Sequence, residues 1–410
     1  MNSVRLFLIW IIVVSVSISC SFSRPVERSR TKVDFEVENI AAIPAAERTY
    51  AYFPLLEGKR IAIAGNHTSL IGAVHLVDSL QNAGFHVEKV FSPEHGFRGT
   101  APDGAYVASG IDEQTGIKVV SLYGARRRPN QEELAGIDLI LVDMQDVGAR
   151  FYTYISTMTL VMQEAAKAQV QVIVLDRPNP MGHFVDGPVL DLAFSSFVGM
   201  HPVPVVHGMT IGEFALMING QGWLGGGLKA NLKVIPVANY SRCDFYQLPV
   251  PPSPNLPNMR AIYLYPSLCF FEGTTISVGR GTAFPFQVFG SPNLPADRFT
   301  FSFTPQSVAA STNPPLLNQA CFGRDLRTIP IPELQARRQI DLSYLLEAFR
   351  SYPNKENFFN PFFDRLAGTN LLRNQIKAGL SEEQIRLSWK PGLEAFRKIR
   401  AKYLIYPDCK

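Results

Sequence analysis

From Arg60 onward, short runs rich in β-branched residues alternate with stretches of helical periodicity. That alternation constrains the fold more than any other feature, because strands spaced by helices close into βαβ units around a parallel sheet. The expected strands are Arg60–Ala64, His86–Phe91, Ile117–Leu122, Ile137–Val142 and Val170–Leu175. The last is wholly apolar, as a parallel strand covered on both faces must be. Helices are expected over His75–Ala83 and Ile155–Ala168, and after Thr210 up to Gly220. Asn130 with Glu133 forms a capping-box start for a short helix that ends at Gly136. After about Trp223 the chain turns proline-rich and aromatic. The segment Leu248–Pro257 reads as a polyproline-like wall, Ala261–Phe289 as short strands and turns, and Asp341–Arg350 and Ser381–Lys402 as helices. The fold class is therefore α/β: a parallel-sheet domain over 46–222, then a smaller mixed α+β domain over 223–410.

The N-terminus has a different character. A basic start ending at Arg5 leads into an apolar run, Leu6–Val16, and then Ser17-Ile18-Ser19-Cys20. The run is about half the ~20 residues of a spanning helix, so residues 1–20 read as a signal peptide. Cys20 at the cut suggests a lipid anchor of the bacterial lipoprotein type, and 21–45 a polar tether. The expected location is exported, in the periplasm or cell envelope. The remaining cysteines, Cys243, Cys269, Cys321 and Cys409, are too few and scattered for a disulfide framework, leaving room for one bridge. A net charge of +4 without dense basic runs beyond Arg126–Arg128 gives no field for nucleic acid.

Ligands of open parallel sheets bind beyond the carboxyl ends of the strands. Here those ends carry Asn66 and His67; Glu94, His95 and Arg98; Tyr123; Asp143, Asp146 and Arg150; and Asp176, Arg177 and Asn179. Carboxylates, imidazoles, amides and guanidiniums in every loop suit a hydroxyl-rich ligand, although Asp143, Asp146, Asp176, Asn66 and Asn179 also fit turn-forming roles. No dinucleotide fingerprint, P-loop, serine elbow or zinc motif is present, and neither a cofactor nor a metal is expected. Glu94 is the strongest single candidate. Between Pro93 and His95-Gly96 it is presented on a sharp turn, and a carboxyl partly withdrawn from water there can hold a proton and give it to a leaving oxygen. The competing reading is a salt bridge to Arg98 or a neighbouring cation.

Five loop sequences go beyond a generic cleft: Gly65-Asn66-His67-Thr68-Ser69, Phe91 to Gly99 around Glu94, Leu141 to Tyr154, Leu175 to Pro180, and Pro252-Ser253-Pro254-Asn255-Leu256-Pro257. With Phe271-Glu272 to Arg280-Gly281-Thr282 they resemble the exo-β-N-acetylmuramidase family of peptidoglycan hydrolases, over nearly the whole chain from Ala51. The resemblance implies a Rossmann-like first domain and a smaller second one with the active cleft between them, and release of N-acetylmuramic acid from the non-reducing ends of peptidoglycan fragments; it matches Glu94 to the family's catalytic glutamate. Tyr123, Asp143 and Asp146 are candidates for the second catalytic group, beside the substrate's own acetamido group, and retaining and inverting routes both stay open. A muramic-acid lactyl carboxylate calls for a planar cation, for which Arg150, Arg177 and Arg280 are candidates. Tyr152, Tyr154, Phe271 and Phe284 are candidates for sugar stacking, and Glu272 joins the binding set. Two rival readings are a non-catalytic peptidoglycan-binding envelope lipoprotein and a hydrolase using metal-bound water.

Overall fold

The computed structural model describes residues 41–98, 109–124 and 126–409, and 41–410 form one compact unit. The leader, Cys20, most of the tether and Gly99 lie outside the described residues. In chain order the strands are β1 (Arg60–Gly65), β2 (Leu70–Ile71), β3 (Val74–His75), β4 (His86–Ser92), β5 (Gly110–Ile111), β6 (Lys118–Ser121), β7 (Leu139–Asp143), β8 (Gln171–Leu175), β9 (Leu232–Ile235), β10 (Val288–Ser291), β11 (Phe301–Phe303) and β12 (Cys321–Asp325). The helices are α1 (Thr49–Leu56), α2 (Leu76–Asn82), α3 (Gln131–Leu134), α4 (Tyr154–Lys167), α5 (Ile211–Gly220), α6 (Met259–Leu268), α7 (Ile331–Ala336), α8 (Ser343–Ser351), α9 (Phe362–Ala367), α10 (Leu371–Lys377) and α11 (Glu382–Arg400).

Seven strands form the main sheet in the order β5-β6-β4-β1-β7-β8-β9, all parallel except the edge strand β5. The Rossmann-like expectation holds, and the five strands read from the sequence are its centre. Their register sets Gly65 beside Asp143 and Ser92 beside Ser121, so the carboxyl ends line up along one edge. The polar loops therefore emerge together. Caps fix where the helices begin: Asn130 and Glu133 close the capping box of α3, and Thr210 with Glu213 does the same for α5.

The smaller part carries an antiparallel sheet, β10-β12-β11, surrounded by helices. Two features depart from the sequence reading. β9 lies past Trp223 yet pairs with β8, so the parallel sheet runs on into the segment assigned to the second part. Ala261–Phe289 does not open in strands: it begins within α6, which Asn258 caps by accepting from Ala261 N at 3.0 Å. Every residue of α6 except Arg260 is buried, and a helix that is apolar on all sides shows no amphipathic period. One hydrophobic core runs from Val142 and Met158 through Phe270 and Phe289 to Trp389, packing both parts together. Cys243 and Cys409 form a disulfide across 166 residues, while Cys269 and Cys321 are buried free thiols.

Candidate active site

Local backbone geometry at the end of β4 presents Glu94. His95 and Gly96 are both left-handed, with φ of 72° and 77°, which turns the chain back so that Gly96 N donates to Pro93 O at 3.2 Å. A histidine in that region is strained by about 1–2 kcal/mol, a cost that surrounding packing must offset and that collects at functional sites. The turn aims the Glu94 carboxyl at Thr153, whose hydroxyl donates to Oε2 at 2.9 Å. Thr153 immediately precedes α4, so the carboxyl faces a helix N-terminus.

Around Glu94 the cleft has two parts. A pit of about 40 Å³ reaches between His95, Tyr152, Tyr154, Ser253 and Asn255, all buried. It opens into a wider cleft of about 460 Å³ bordered by Tyr123, Arg127, Phe197, Glu272, Arg280 and Phe362. Arg280 borders both. Its Nε donates to Glu272 Oε1 at 2.6 Å and its guanidinium lies 5.0 Å from the Phe286 ring centre. The Glu94 side of the cleft thus comes from the parallel sheet, and the cation facing it from the smaller part.

Of the residues singled out from sequence, Glu94, His95, Tyr123, Tyr152, Tyr154, Glu272 and Arg280 come together here. The two tyrosines turn their hydroxyls away from the opening, both donating to Pro252 O, at 2.8 and 3.2 Å, so they pin the proline-rich wall. Phe271 is fully buried in the core and Phe284 packs beside β11, so neither lines the cleft around Glu94.

The others sit behind this surface and hold its loops. Asn66 is fully buried, accepting from Thr68 N and donating to Tyr154 Oη at 2.6 Å. His67 Nε2 meets Pro251 O at 2.9 Å, and burial lowers its proton affinity. Arg98 forks onto Asp112 at 3.0 and 2.7 Å, so its guanidinium is engaged there and not with Glu94. Asp143 and Arg177 form a buried bidentate pair at 2.5 and 2.8 Å. Arg150 is fully buried and donates to the carbonyls of Pro188, Val203, Leu366 and Ala367, with burial pushing it down to about 9. Asp176 accepts from Thr210, Gly212 and Tyr406 at the start of α5, and burial pushes it up to about 7. Asn179 bridges Met209 O and Met181 N, and it packs so tightly on Gly148 that a Cβ there would meet its amide at 2.4 Å. Gly148, at φ 84°, is thus required on two counts.

Asp146 is also buried, accepting from Gly148 N at 2.6 Å. His207 Nε2 lies 3.9 Å from its Oδ1. Burial pushes Asp146 up to about 7, and burial with the nearby arginines pushes His207 down to about 3. Because the folded state holds the Asp146 proton that an unfolded aspartate releases near pH 4, this group stabilises the fold in acid, and the contribution is lost as pH rises through 7. His207 acts oppositely: its contribution is full above about 6.5 and lost as pH falls below that. Asp146→Asn is therefore expected to be more stable relative to wild type at pH 8.5 than at pH 5.5, by about 1–2 kcal/mol in denaturant titrations. A difference independent of pH would show that Asp146 is ionised throughout.

Sequence reasoning missed Thr153, Arg127, Phe197 and Phe362. Thr153 lay inside a quoted motif and Arg127 inside the one arginine run, so both carried a signal. The two phenylalanines carried none, since single aromatics in irregular segments look like core.

A mostly parallel open sheet whose carboxyl-end loops line a cleft holding a glutamate and an arginine places the protein among the α/β proteins with a site at the sheet's carboxyl end. Residues 61–260 match the family model described as exo-beta-N-acetylmuramidase NamZ, N-terminal, and 263–406 match its C-terminal counterpart; the chain belongs to this family. It is 37% identical over 374 residues to the peptidoglycan beta-N-acetylmuramidase NamZ of Bacillus subtilis (strain 168), covering 87% of this chain and 89% of that protein. Two crystal structures of DUF1343 family proteins from Bacteroides fragilis NCTC 9343 share the fold. One is 46% identical with a TM-score of 0.84 (90% of this chain, 100% of that one), the other 27% identical with 0.77 (89% and 99%).

Proposed function

We propose that this protein is an exo-acting glycoside hydrolase that releases N-acetylmuramic acid from the non-reducing ends of peptidoglycan fragments, with Glu94 as its proton donor. The observation that carries the reading is the placement of Glu94: a strained turn at the carboxyl end of β4 holds it where a narrow pit meets a wider cleft, with Arg280 on the same walls. A general acid must reach the leaving oxygen, and a carboxyl on the wall of the wider cleft can reach a glycosidic bond lying in it. Of the three candidates for the second catalytic group, Tyr123 shares the cleft with Glu94, whereas Asp143 is tied to Arg177 and Asp146 is buried. This favours Tyr123 or the substrate's own acetamido group over the two aspartates, and Glu272 is a further carboxylate on the same cleft.

Of the three arginine candidates, Arg280 is the one that borders both parts of the cleft, which favours it, paired with Glu272, as the residue that meets the lactyl carboxylate. The Cys243–Cys409 disulfide supports export, since such bonds persist in oxidising compartments, and accords with the leader and a lipid anchor at Cys20. The testing experiment offers the enzyme two isomeric disaccharides, one with muramic acid at the non-reducing end and one with glucosamine there. Only the first should be cleaved, and a pure binding protein would cleave neither.

A further inference from the structure

The lining of the cleft changes along its length. Around the pit, the side chains of His95, Tyr152, Tyr154, Ser253 and Asn255 are buried, whereas at the wide end Phe362 is 41% exposed and Arg127 is exposed. Large phenylalanine surface left in water is unfavourable, by an amount that scales with the exposed apolar area. Phe362 is nonetheless held in place. Asn360 Oδ1 accepts from its backbone N at 2.8 Å, while Asn360 Nδ2 donates to Glu272 O at 3.3 Å, which anchors the ring to the segment carrying the cleft carboxylate.

Phe197 reaches the same end of the cleft from a loop of the other part, and the Arg127 guanidinium lies 4.3 Å from its ring centre. Arg365 Nη1, one turn into α9 from Phe362, donates to Ser195 O at 3.1 Å. The backbone segments that carry the two rings are therefore latched to each other before any ligand arrives, which lowers the entropic cost of ordering them on binding.

We infer that Phe197 and Phe362 form the subsite for the leaving-group sugar, stacking on the N-acetylated hexose to which the departing muramic acid is joined. This rests on the muramidase reading above. A general acid stands at the scissile bond, and the wide part of the cleft beside Glu94, where these rings stand, has the room for the glycan that continues from that bond. A pyranose presents an apolar face of C–H groups that an aromatic ring covers without requiring a charge, which matches a subsite built from two phenylalanines.

The test compares wild type with Phe362→Ala and Phe362→Trp on two substrates of the same terminal sugar: the muramic acid–glucosamine disaccharide, and N-acetylmuramyl β-fluoride, whose leaving group is too small to reach the rings. For Phe362→Ala the ratio of kcat/KM on disaccharide to that on fluoride should fall about tenfold, the scale of losing part of one phenylalanine's burial, and the tryptophan variant should restore it. Equal losses on both substrates, or no loss on either, would overturn the subsite while leaving the muramidase reading intact. A wild-type enzyme inert on both would remove that reading, and the subsite with it.

Discussion

Glu94→Gln should lower hydrolysis of a β-linked N-acetylmuramide by about 10³-fold or more, with the melting temperature within a few degrees of wild type. Glutamine keeps the size of the side chain and an oxygen that can accept from Thr153 Oγ1, so the turn formed by His95 and Gly96 has no cause to move. What it lacks is a transferable proton. A loss of that size corresponds to about 4 kcal/mol of transition-state stabilisation, within the range of a general acid. Steady-state assays on the variant, alongside a thermal melt, separate this from unfolding. If activity falls less than tenfold, another group protonates the leaving oxygen.

The second large effect concerns stability. Arg177→Met should destabilise the protein by about 3–5 kcal/mol in urea or guanidinium titrations, because it strands the buried Asp143 carboxylate without its bidentate partner. Asp143 is fully buried and Arg177 is 3% exposed, so water cannot replace the lost bonds. The same substitution also removes the Arg177 Nη2 bond to Leu70 O, which ties the β2–β3 hairpin to the loop after β8. Adding Asp143→Leu should recover part of the loss, since an apolar pair does not carry the desolvation cost of a lone charge. If Arg177 gripped the lactyl carboxylate instead, the single variant would melt normally and show a raised KM.

These two residues mark what could and could not be seen in the chain. The parallel sheet was legible because β1, β4, β6, β7 and β8 are buried runs with turn residues after each, and the capping pairs of α3 and α5 announced their helices. β9 is a part-exposed edge strand in which Lys233 interrupts the apolar run, and its pairing with β8 is a tertiary fact. At the site, the sheet-end rule located the loops, and Glu94 stood out through its turn residues. Which polar side chain faces the cleft and which braces a loop depends on partners far away in sequence. Arg150 is spent on Leu366 and Ala367, and Asp176 on Tyr406, pairings that local pattern does not encode. The rim is least legible of all, since Phe197 and Phe362 are brought together only by the packing of α9 against the 195–198 loop.

The most direct test of the central claim is the pair of isomeric disaccharides, followed by mass spectrometry of the products. With wild-type protein, the isomer bearing muramic acid at its non-reducing end should yield free N-acetylmuramic acid and N-acetylglucosamine, while the reversed isomer stays intact. Cleavage of the reversed isomer, or of neither, would contradict the account.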